Sequence, residues 1–218
     1  LNGAGSSLTH TIIEYADTGL QANRANISLN NVTIRKIRGD GLALNNADTF
    51  TMTDTTITES GASGVWVHSG SDPVSMVRPN IFGNGHGMWV DNSSVVSISG
   101  GSISNNRNDG VHAHNATVNI QDAVVENNAW TGLAYSGNAL GAATRNQLRQ
   151  NGREGLLLET TQSGSPNPVV TLNNIYSNAV TGSRRISRET VSISASYTCC
   201  SAAGSTSAAY APGAGRYV

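Results

Sequence analysis

A glycine followed by an apolar residue, any residue and a second apolar residue recurs along most of the chain. Seven glycines begin this pattern: Gly19, Gly41, Gly64, Gly87, Gly110, Gly132 and Gly155. Successive members are 22 or 23 residues apart, and a looser match follows at Gly182 after 27 residues. A period of this length, kept over seven repeats, indicates a solenoid in which each repeat packs against its two neighbours.

Each repeat contains more than one short strand. An apolar residue stands seven positions before the glycine in most repeats: Ile12, Ile34, Ile57, Ile103, Val125, Leu148 and Ile175, with Ile81 one place out of step. Alternating triplets recur as well: Ile27–Leu29, Phe50–Met52, Val74–Met76, Val96–Ile98, Val118–Ile120, Val170–Leu172 and Val191–Ile193. Such β-branched, period-two segments between Gly, Asn and Ser are typical of strands. Three short strands per repeat predict an all-β parallel β-helix of about eight coils.

Stacking of coils about 4.8 Å apart would place equivalent residues in ladders. The first and third residues after the glycine are expected to point inward: Leu20, Leu42, Val65, Met88, Val111, Leu133 and Leu156, then Ala22, Leu44, Val67, Val90, Ala113, Tyr135 and Leu158. Four positions before the glycine stand Asn106, Asn128, Asn151 and Asn178. Asn tolerates the left-handed conformation of a sharp turn, and stacked amides bond along a ladder. We therefore expect an asparagine ladder at one corner.

The 22–23-residue coil, the asparagine ladder and the Gly-apolar-x-apolar strand resemble the right-handed parallel β-helix of the pectin-lyase-like superfamily, over roughly residues 8–198. The resemblance implies a right-handed, single-stranded solenoid. It does not select a function, because this fold hosts lyases, glycoside hydrolases, epimerases, esterases, adhesins and tailspikes.

The pattern predicts one β-helix over residues 1–198 and a separate tail over residues 199–218. The tail is rich in Ala, Gly and Ser and lacks the period, so we expect a cap or an unstructured segment. It begins next to Cys199 and Cys200, which as sequence neighbours rarely form a disulfide. The chain starts at Leu1, as a mature form or a fragment would, and bare solenoid ends favour association into homo-oligomers.

Composition excludes two classes of partner. The net charge is −1, and Lys36 is the only lysine among 13 basic residues, so the chain carries no electrostatic footprint for nucleic acid. It also has no polybasic patch for a membrane surface, and no apolar run approaches the roughly 20 residues that span a bilayer. We expect neither nucleic acid nor membrane as a partner.

Folding the repeat gathers aromatic and titratable residues on one outward face. Coils three to five bring together two of the three Trp and four of the five His. Trp66, Trp89 and His112 are the predicted substrate-binding platform, because indoles stack on the apolar faces of sugar rings. The predicted catalytic groups are His68, Asp91, His114, His86 and Asp109, which bond hydroxyls or transfer protons. Asp91 is expected to lie between His68 and His114 in the ladder, about 5 Å from each, and to raise their basicity.

Other interpretations of these residues remain open. The face is equally consistent with a ladder that only stabilises the stacked coils. His68, Asp91 and His114 are metal-ligand types, but parallel side-chain vectors suit tetrahedral coordination poorly, so neither a metal nor another cofactor is expected. Gly85-His86-Gly87 matches a polygalacturonase tripeptide but lacks that family's paired carboxylates, and a tight turn explains it. A hydroxyl-rich row on a second face resembles an ice-binding surface: Ser28, Thr51, Ser75, Ser97, Asn119, Thr171 and Ser192.

The sequence favours a secreted or cell-surface protein that interacts with a polysaccharide or glycan, with a lyase, hydrolase or epimerase acting on polysaccharides as its enzymatic form. The alternative is a non-catalytic structural, adhesin-like or self-assembling module. Concavity separates them, because enzymes of this fold need long loops that wall a groove. The coils here are nearly minimal, with modest insertions near residues 69–79, 135–145 and 160–168.

Overall fold

The computed structural model describes residues 3–161, 164–179 and 183–186. Gly182, the triplet Val191–Ile193, Ser192 of the hydroxyl row, Cys199, Cys200 and the tail over residues 199–218 lie outside these residues. The proposed boundary at residue 198 lies outside them too. No helix long and apolar enough to cross a membrane occurs in the part that is described.

The described chain forms 24 strands, which alternate among three parallel sheets of eight. Sheet 1 contains β1 (Gly3–Thr9), β4 (Ala25–Asn30), β7 (Thr49–Thr53), β10 (Val74–Val77), β13 (Val95–Ser99), β16 (Thr117–Gln121), β19 (Leu140–Thr144) and β22 (Val169–Thr171). Sheet 2 contains β2 (Ile12–Glu14), β5 (Thr33–Ile37), β8 (Thr56–Ser60), β11 (Asn80–Phe82), β14 (Ser102–Ser104), β17 (Val124–Glu126), β20 (Gln147–Arg149) and β23 (Asn174–Tyr176). Sheet 3 contains β3 (Leu20–Asn23), β6 (Leu42–Asn45), β9 (Ser63–His68), β12 (His86–Asp91), β15 (Val111–His114), β18 (Leu133–Ser136), β21 (Leu156–Glu159) and β24 (Ser183–Ile186). Each strand pairs with the strand three places later, so the predicted parallel β-helix with three strands per coil is confirmed.

The core is the set of inward ladders that the repeat predicts. Both ladders of sheet 3 are buried throughout, from Leu20 to Leu156 and from Ala22 to Leu158. Two predicted positions are wrong by a shift of register. Ile13 rather than Ile12 pairs with Ile34, and Ile12 is 60 % exposed. Val170 follows Ala143 at the second inward position of sheet 1, so Leu172 falls at the next corner, 61 % exposed with φ of 58°.

The asparagine ladder is present, but the left-handed residue is the one before each asparagine. Asn127, for example, has φ of 55° and is exposed, whereas Asn128 beside it is 1 % exposed. Asn128 Nδ2 donates to Asn151 Oδ1 at 3.0 Å and to the Ile103 carbonyl at 3.2 Å. Asn128 Oδ1 accepts the backbone and side-chain N–H groups of Asn106 at 3.1 and 2.9 Å. The buried amides therefore satisfy backbone groups at a corner where no strand can.

One corner is a residue shorter than its neighbours, and this changes where the following strand begins. The ladder extends to Asn84, which stands three rather than four positions before its glycine and bonds Asn106 Oδ1. The same missing residue explains why Ile81 is out of step in sequence although it pairs with Ile57 and Ile103. The short corner starts β12 at His86, which pairs with Ser63 on β9.

The repeating glycine is required by close approach between coils. A Cβ on Gly64 would lie 2.8 Å from the Gly87 carbonyl oxygen, from Asn84 Nδ2 and from Ile81 Cγ2. Non-bonded carbon atoms keep about 3.5–4.0 Å, so no side chain fits between these coils. The glycine row thus sets the spacing at the corner that leads into sheet 3.

Candidate functional site

The outer face of sheet 3 carries the predicted site residues in register. Trp66 pairs with Trp89, and Trp89 pairs with His112 on the following coil. Asp91 pairs with His114. Trp66, His68, Trp89, Asp91, His112 and His114 alternate with the buried core residues of their strands and are all partly exposed. The predicted residues therefore do lie together, and their roles remain predictions.

Each indole of this face is packed against an imidazole. The Trp66 ring stacks on His68 of the same strand, with centroids 4.0 Å apart and planes 10° from parallel. The Trp89 ring stacks on His112 of the next coil at 4.3 Å and 20°. One face of each indole is thus covered by an imidazole, and both indoles stay partly exposed.

The Asp91 carboxylate accepts the two indole N–H groups. Trp89 Nε1 donates to Asp91 Oδ2 at 3.1 Å, and Trp66 Nε1 donates to the same oxygen at 3.5 Å. Asn92 Nδ2 donates to Asp91 Oδ1 at 3.0 Å. His114 is the expected ladder neighbour of Asp91 on the next coil, but the hydrogen bonds of the carboxylate go to the two indoles and to Asn92. Asp91 therefore fixes the orientation of both indoles.

His86 lies between two indoles and beside Asp109. Its ring meets Trp89 edge to face at 5.0 Å and Trp130 at 6.4 Å. The sequence pattern missed Trp130, which is 41 % exposed and packs against the Arg153 guanidinium at 4.5 Å. Trp130 stands two positions before Gly132, in a row with Gly85 and Asn108, two coils away from His86. The ladder rows alone would therefore not have brought these two rings together.

The surroundings of His86 disfavour its charged form. Burial lowers the pKa of His86 below 6.5, and His112 acts in the same direction, although Asp109 opposes both. His86 Nδ1 is 3.9 Å from Asp109 Oδ2, too far for a hydrogen bond, and this buried nitrogen has no partner among the described residues. Because Nδ1 is buried, a ligand can contact His86 only through the rest of its partly exposed ring.

This buried histidine makes stability depend on pH. The unfolded chain binds a proton to His86 more readily than the native chain does, so the free energy of unfolding falls as the pH drops below about 6.5. We expect His86→Gln to lose less stability than the wild type between about pH 7 and pH 5. Urea unfolding across this range measures the difference. His10→Gln, at an exposed corner, is the matched control and is expected to follow the wild type. Equal slopes for His86→Gln and the wild type would contradict the burial argument.

A second cluster links Asp109, His112 and Ser136 across two coils. Asp109 Oδ2 is 3.0 Å from His112 Nδ1, and His112 Nε2 is 3.0 Å from Ser136 Oγ. Ser136 Oγ is also 3.0 Å from His114 Nδ1. Asp109 Oδ1 accepts the backbone N–H of Thr131 at 3.0 Å, which holds the buried carboxylate in place. Ser136 follows His114 in the outward row of sheet 3, but its small side chain gave the sequence pattern no reason to select it.

The other chemistries considered from sequence find less support on this molecule. Within the described residues, no group of three or more His, Cys, Asp or Glu side chains could hold a metal ion. The hydroxyl row of sheet 1 continues past Asn119 with Ala142 and Val169, so the predicted place of Thr171 in this row is wrong. Within the described residues, a depression of about 550 Å³ lies near Tyr15 and Lys36, away from the aromatic face. A second depression of similar volume is lined by Asn45 and Ser69 and adjoins His68 of the aromatic face.

The chain superposes on solved β-helix structures at low sequence identity. The periplasmic alginate epimerase AlgG aligns with a TM-score of 0.78 and 16% identity over 88% of this chain and 51% of AlgG. Pectate lyase Pel9A gives 0.74 and 14% over 93% and 64% of the two chains. The A-module of the Azotobacter vinelandii mannuronan C-5 epimerase AlgE4 gives 0.68 and 14% over 89% and 62%. The chain thus spans half to two thirds of these proteins, and the likeness shows the fold.

Searching the curated proteins gave no match. A family model does match, over residues 18–175 and again over residues 74–201, and it describes the right handed beta helix region. The first match alone covers most of the chain, and it agrees with the three parallel sheets. The chain therefore belongs to the right-handed β-helix family.

Proposed function

We propose that the outer face of sheet 3, from β9 to β18, binds a polysaccharide. The observation that carries this proposal is the register of Trp66, Trp89 and His112 on three consecutive coils, beside carboxylates with fixed orientation. Aromatic rings supply apolar contact to sugar rings, while Asp and His side chains bond to hydroxyl groups.

The spacing of the coils supports a polymer rather than a single sugar. Neighbouring strands lie about 4.8 Å apart, which is close to the length of one pyranose residue in an extended chain. In a polysaccharide that runs along the axis of the β-helix, each successive sugar would contact the equivalent residue of the next coil. Trp66, Trp89 and His112 would then contact consecutive residues of one glycan strand.

The names of the structural neighbours point to the same ligand class. AlgG is named an alginate epimerase, AlgE4 a mannuronan epimerase and Pel9A a pectate lyase. AlgG is also described as periplasmic, which favours a location outside the cytoplasm for this chain.

A glycan array followed by electrophoresis in polysaccharide-containing gels tests this function. The wild type is compared with the double variant Trp66→Ala/Trp89→Ala, and circular dichroism verifies that both are folded. Binding by the wild type that is lost in the double variant is the expected result. If the wild type binds no glycan, the function is a structural or self-assembling module instead, and sedimentation would then show association of the chain with itself.

A further inference from the structure

We propose that Asp109, His112 and Ser136 form a serine hydrolase triad that removes small acyl groups, such as acetyl, from esters on the bound polysaccharide. The polysaccharide as substrate rests on the function proposed above, whereas the ester chemistry rests on these three side chains alone. Neither the family match nor the sequence pattern assigns a role to Ser136.

The order of contacts is that of a serine hydrolase. The carboxylate of Asp109 contacts one nitrogen of the His112 ring, Nδ1, and the Ser136 hydroxyl contacts the other, Nε2, each at 3.0 Å. A nucleophile bonded to a base, with the base oriented by a third group, is the arrangement that activates a hydroxyl. Asp109 comes from the corner before β15, His112 from β15 and Ser136 from the end of β18, so the rigid sheet holds all three.

The surrounding bonds fix where the protons lie. Asn115 Oδ1 accepts the backbone N–H of Asn138, so Asn115 Nδ2 faces His114 Nε2 at 2.9 Å and donates to it. Neutral His114 then carries its proton on Nδ1 and donates to Ser136 Oγ. Asp109 only accepts, so neutral His112 carries its proton on Nδ1.

The Ser136 hydroxyl proton is therefore directed to the remaining acceptor, His112 Nε2 at 3.0 Å, because the Ala113 carbonyl is more distant at 3.5 Å. This is the protonation state in which the imidazole takes the proton as the hydroxyl attacks. Asp109 acts as a positioning residue that holds His112 in this tautomer.

Burial limits the size of the acyl group. Ser136 is 3% exposed and Asp109 is 6% exposed, whereas the His112 side chain keeps 15% of its surface in contact with solvent. His112 also stacks on Trp89, the centre of the proposed sugar-binding face. A sugar held at Trp89 would thus present an ester next to the triad, and a short acyl chain such as acetyl suits the little space around Oγ.

The reaction consumes only water. Ser136 Oγ attacks the acyl carbonyl carbon and its proton passes to His112 Nε2, while His114 Nδ1–H donates to the developing oxyanion. The tetrahedral intermediate expels the sugar oxygen, which takes the proton from His112 and leaves as a hydroxyl. Water then attacks the acyl-serine with His112 as base. One hydrogen of this water ends on Ser136, and its hydroxyl group ends on the released carboxylic acid.

A fluorophosphonate probe tests the triad without any glycan, because Ser136 Oγ would displace fluoride and form a stable phosphonyl ester. Intact-mass spectrometry is expected to show one added phosphonyl group, and peptide mapping is expected to place it on Ser136. Hydrolysis of p-nitrophenyl acetate is measured in parallel. Ser136→Ala is expected to abolish labelling and at least 90% of the esterase rate, and Ser97→Ala, at an exposed position on sheet 1, is expected to change neither.

Asp109→Asn keeps the shape of the side chain and tests the positioning role. We expect it to slow labelling at least about 100-fold and to lower kcat for p-nitrophenyl acetate while leaving KM nearly unchanged. Because the site of labelling is mapped in the wild type, the outcome does not depend on whether Ser136→Ala folds. An unlabelled wild type, or a label on another residue, overturns the triad. Labelling of Ser136 without glycan binding would support the triad and refute the polysaccharide function. Glycan binding without labelling would support the polysaccharide function and refute the triad.

Discussion

Replacing Asn128 with alanine is expected to lower the free energy of unfolding by about 4 kcal/mol. The substitution leaves the backbone and side-chain N–H groups of Asn106 and the Ile103 carbonyl without their partner inside the core. A buried polar group that loses its hydrogen bond costs about 1–3 kcal/mol. The ladder runs through five coils, from Asn84 to Asn178, so the loss occurs at its centre. Equilibrium unfolding in urea, followed by circular dichroism, measures the change.

Asn127 is the matched control because it is the adjacent residue, of the same type, at the same corner. Its side chain is exposed and its φ is 55°, so Asn127→Ala loses only the tolerance of asparagine for this conformation, about 1 kcal/mol. A similar loss for the two alanine variants would mean that backbone conformation, rather than the amide ladder, stabilises this corner.

The fold follows from sequence because like residues stack on like. The glycine row and the inward ladders each repeat seven times, so the period can be recognised even though single positions deviate from it. Asn84 and Ile81 do not stand at the usual distance before their glycine, because one corner is a residue shorter. Leu172 is predicted at the wrong position for a different reason. An alternating triplet keeps the same pattern when it is shifted by two residues along a strand, so only the pairing with β19 determines its register.

The site follows from sequence only in part. Folding the repeat brings Trp66, Trp89 and His112 to one face, since row membership depends on the backbone alone. Which atoms then bond depends on rotamers, which the repeat does not encode. Asp91 therefore contacts indoles rather than imidazoles, and the contact of Ser136 with His112 crosses coils at a position whose neighbours are chemically unlike.

Removing both indoles of the binding face is expected to weaken glycan binding at least about 100-fold. Tryptophans at the centre of an interface contribute about 2 kcal/mol or more when truncated, and 1.4 kcal/mol is a tenfold change in affinity. Of the single variants, Trp89→Ala is expected to have the larger effect, about 30-fold. Trp89 also supports His86 and His112 and bonds Asp91 at 3.1 Å, whereas Trp66 lies at one end of the row. Isothermal titration with the best glycan of the array measures each loss.

Tyr15→Ala is the control for this prediction, because Tyr15 is an exposed aromatic residue at another corner, 71 % exposed and packed on Lys36. It is expected to leave glycan affinity unchanged. If Tyr15→Ala weakens binding as much as Trp89→Ala does, the glycan lies in the depression near Tyr15 and Lys36 rather than on sheet 3. If Trp66→Ala exceeds Trp89→Ala, the bound chain is centred nearer β9, away from Ser136, and the ester would no longer reach the triad.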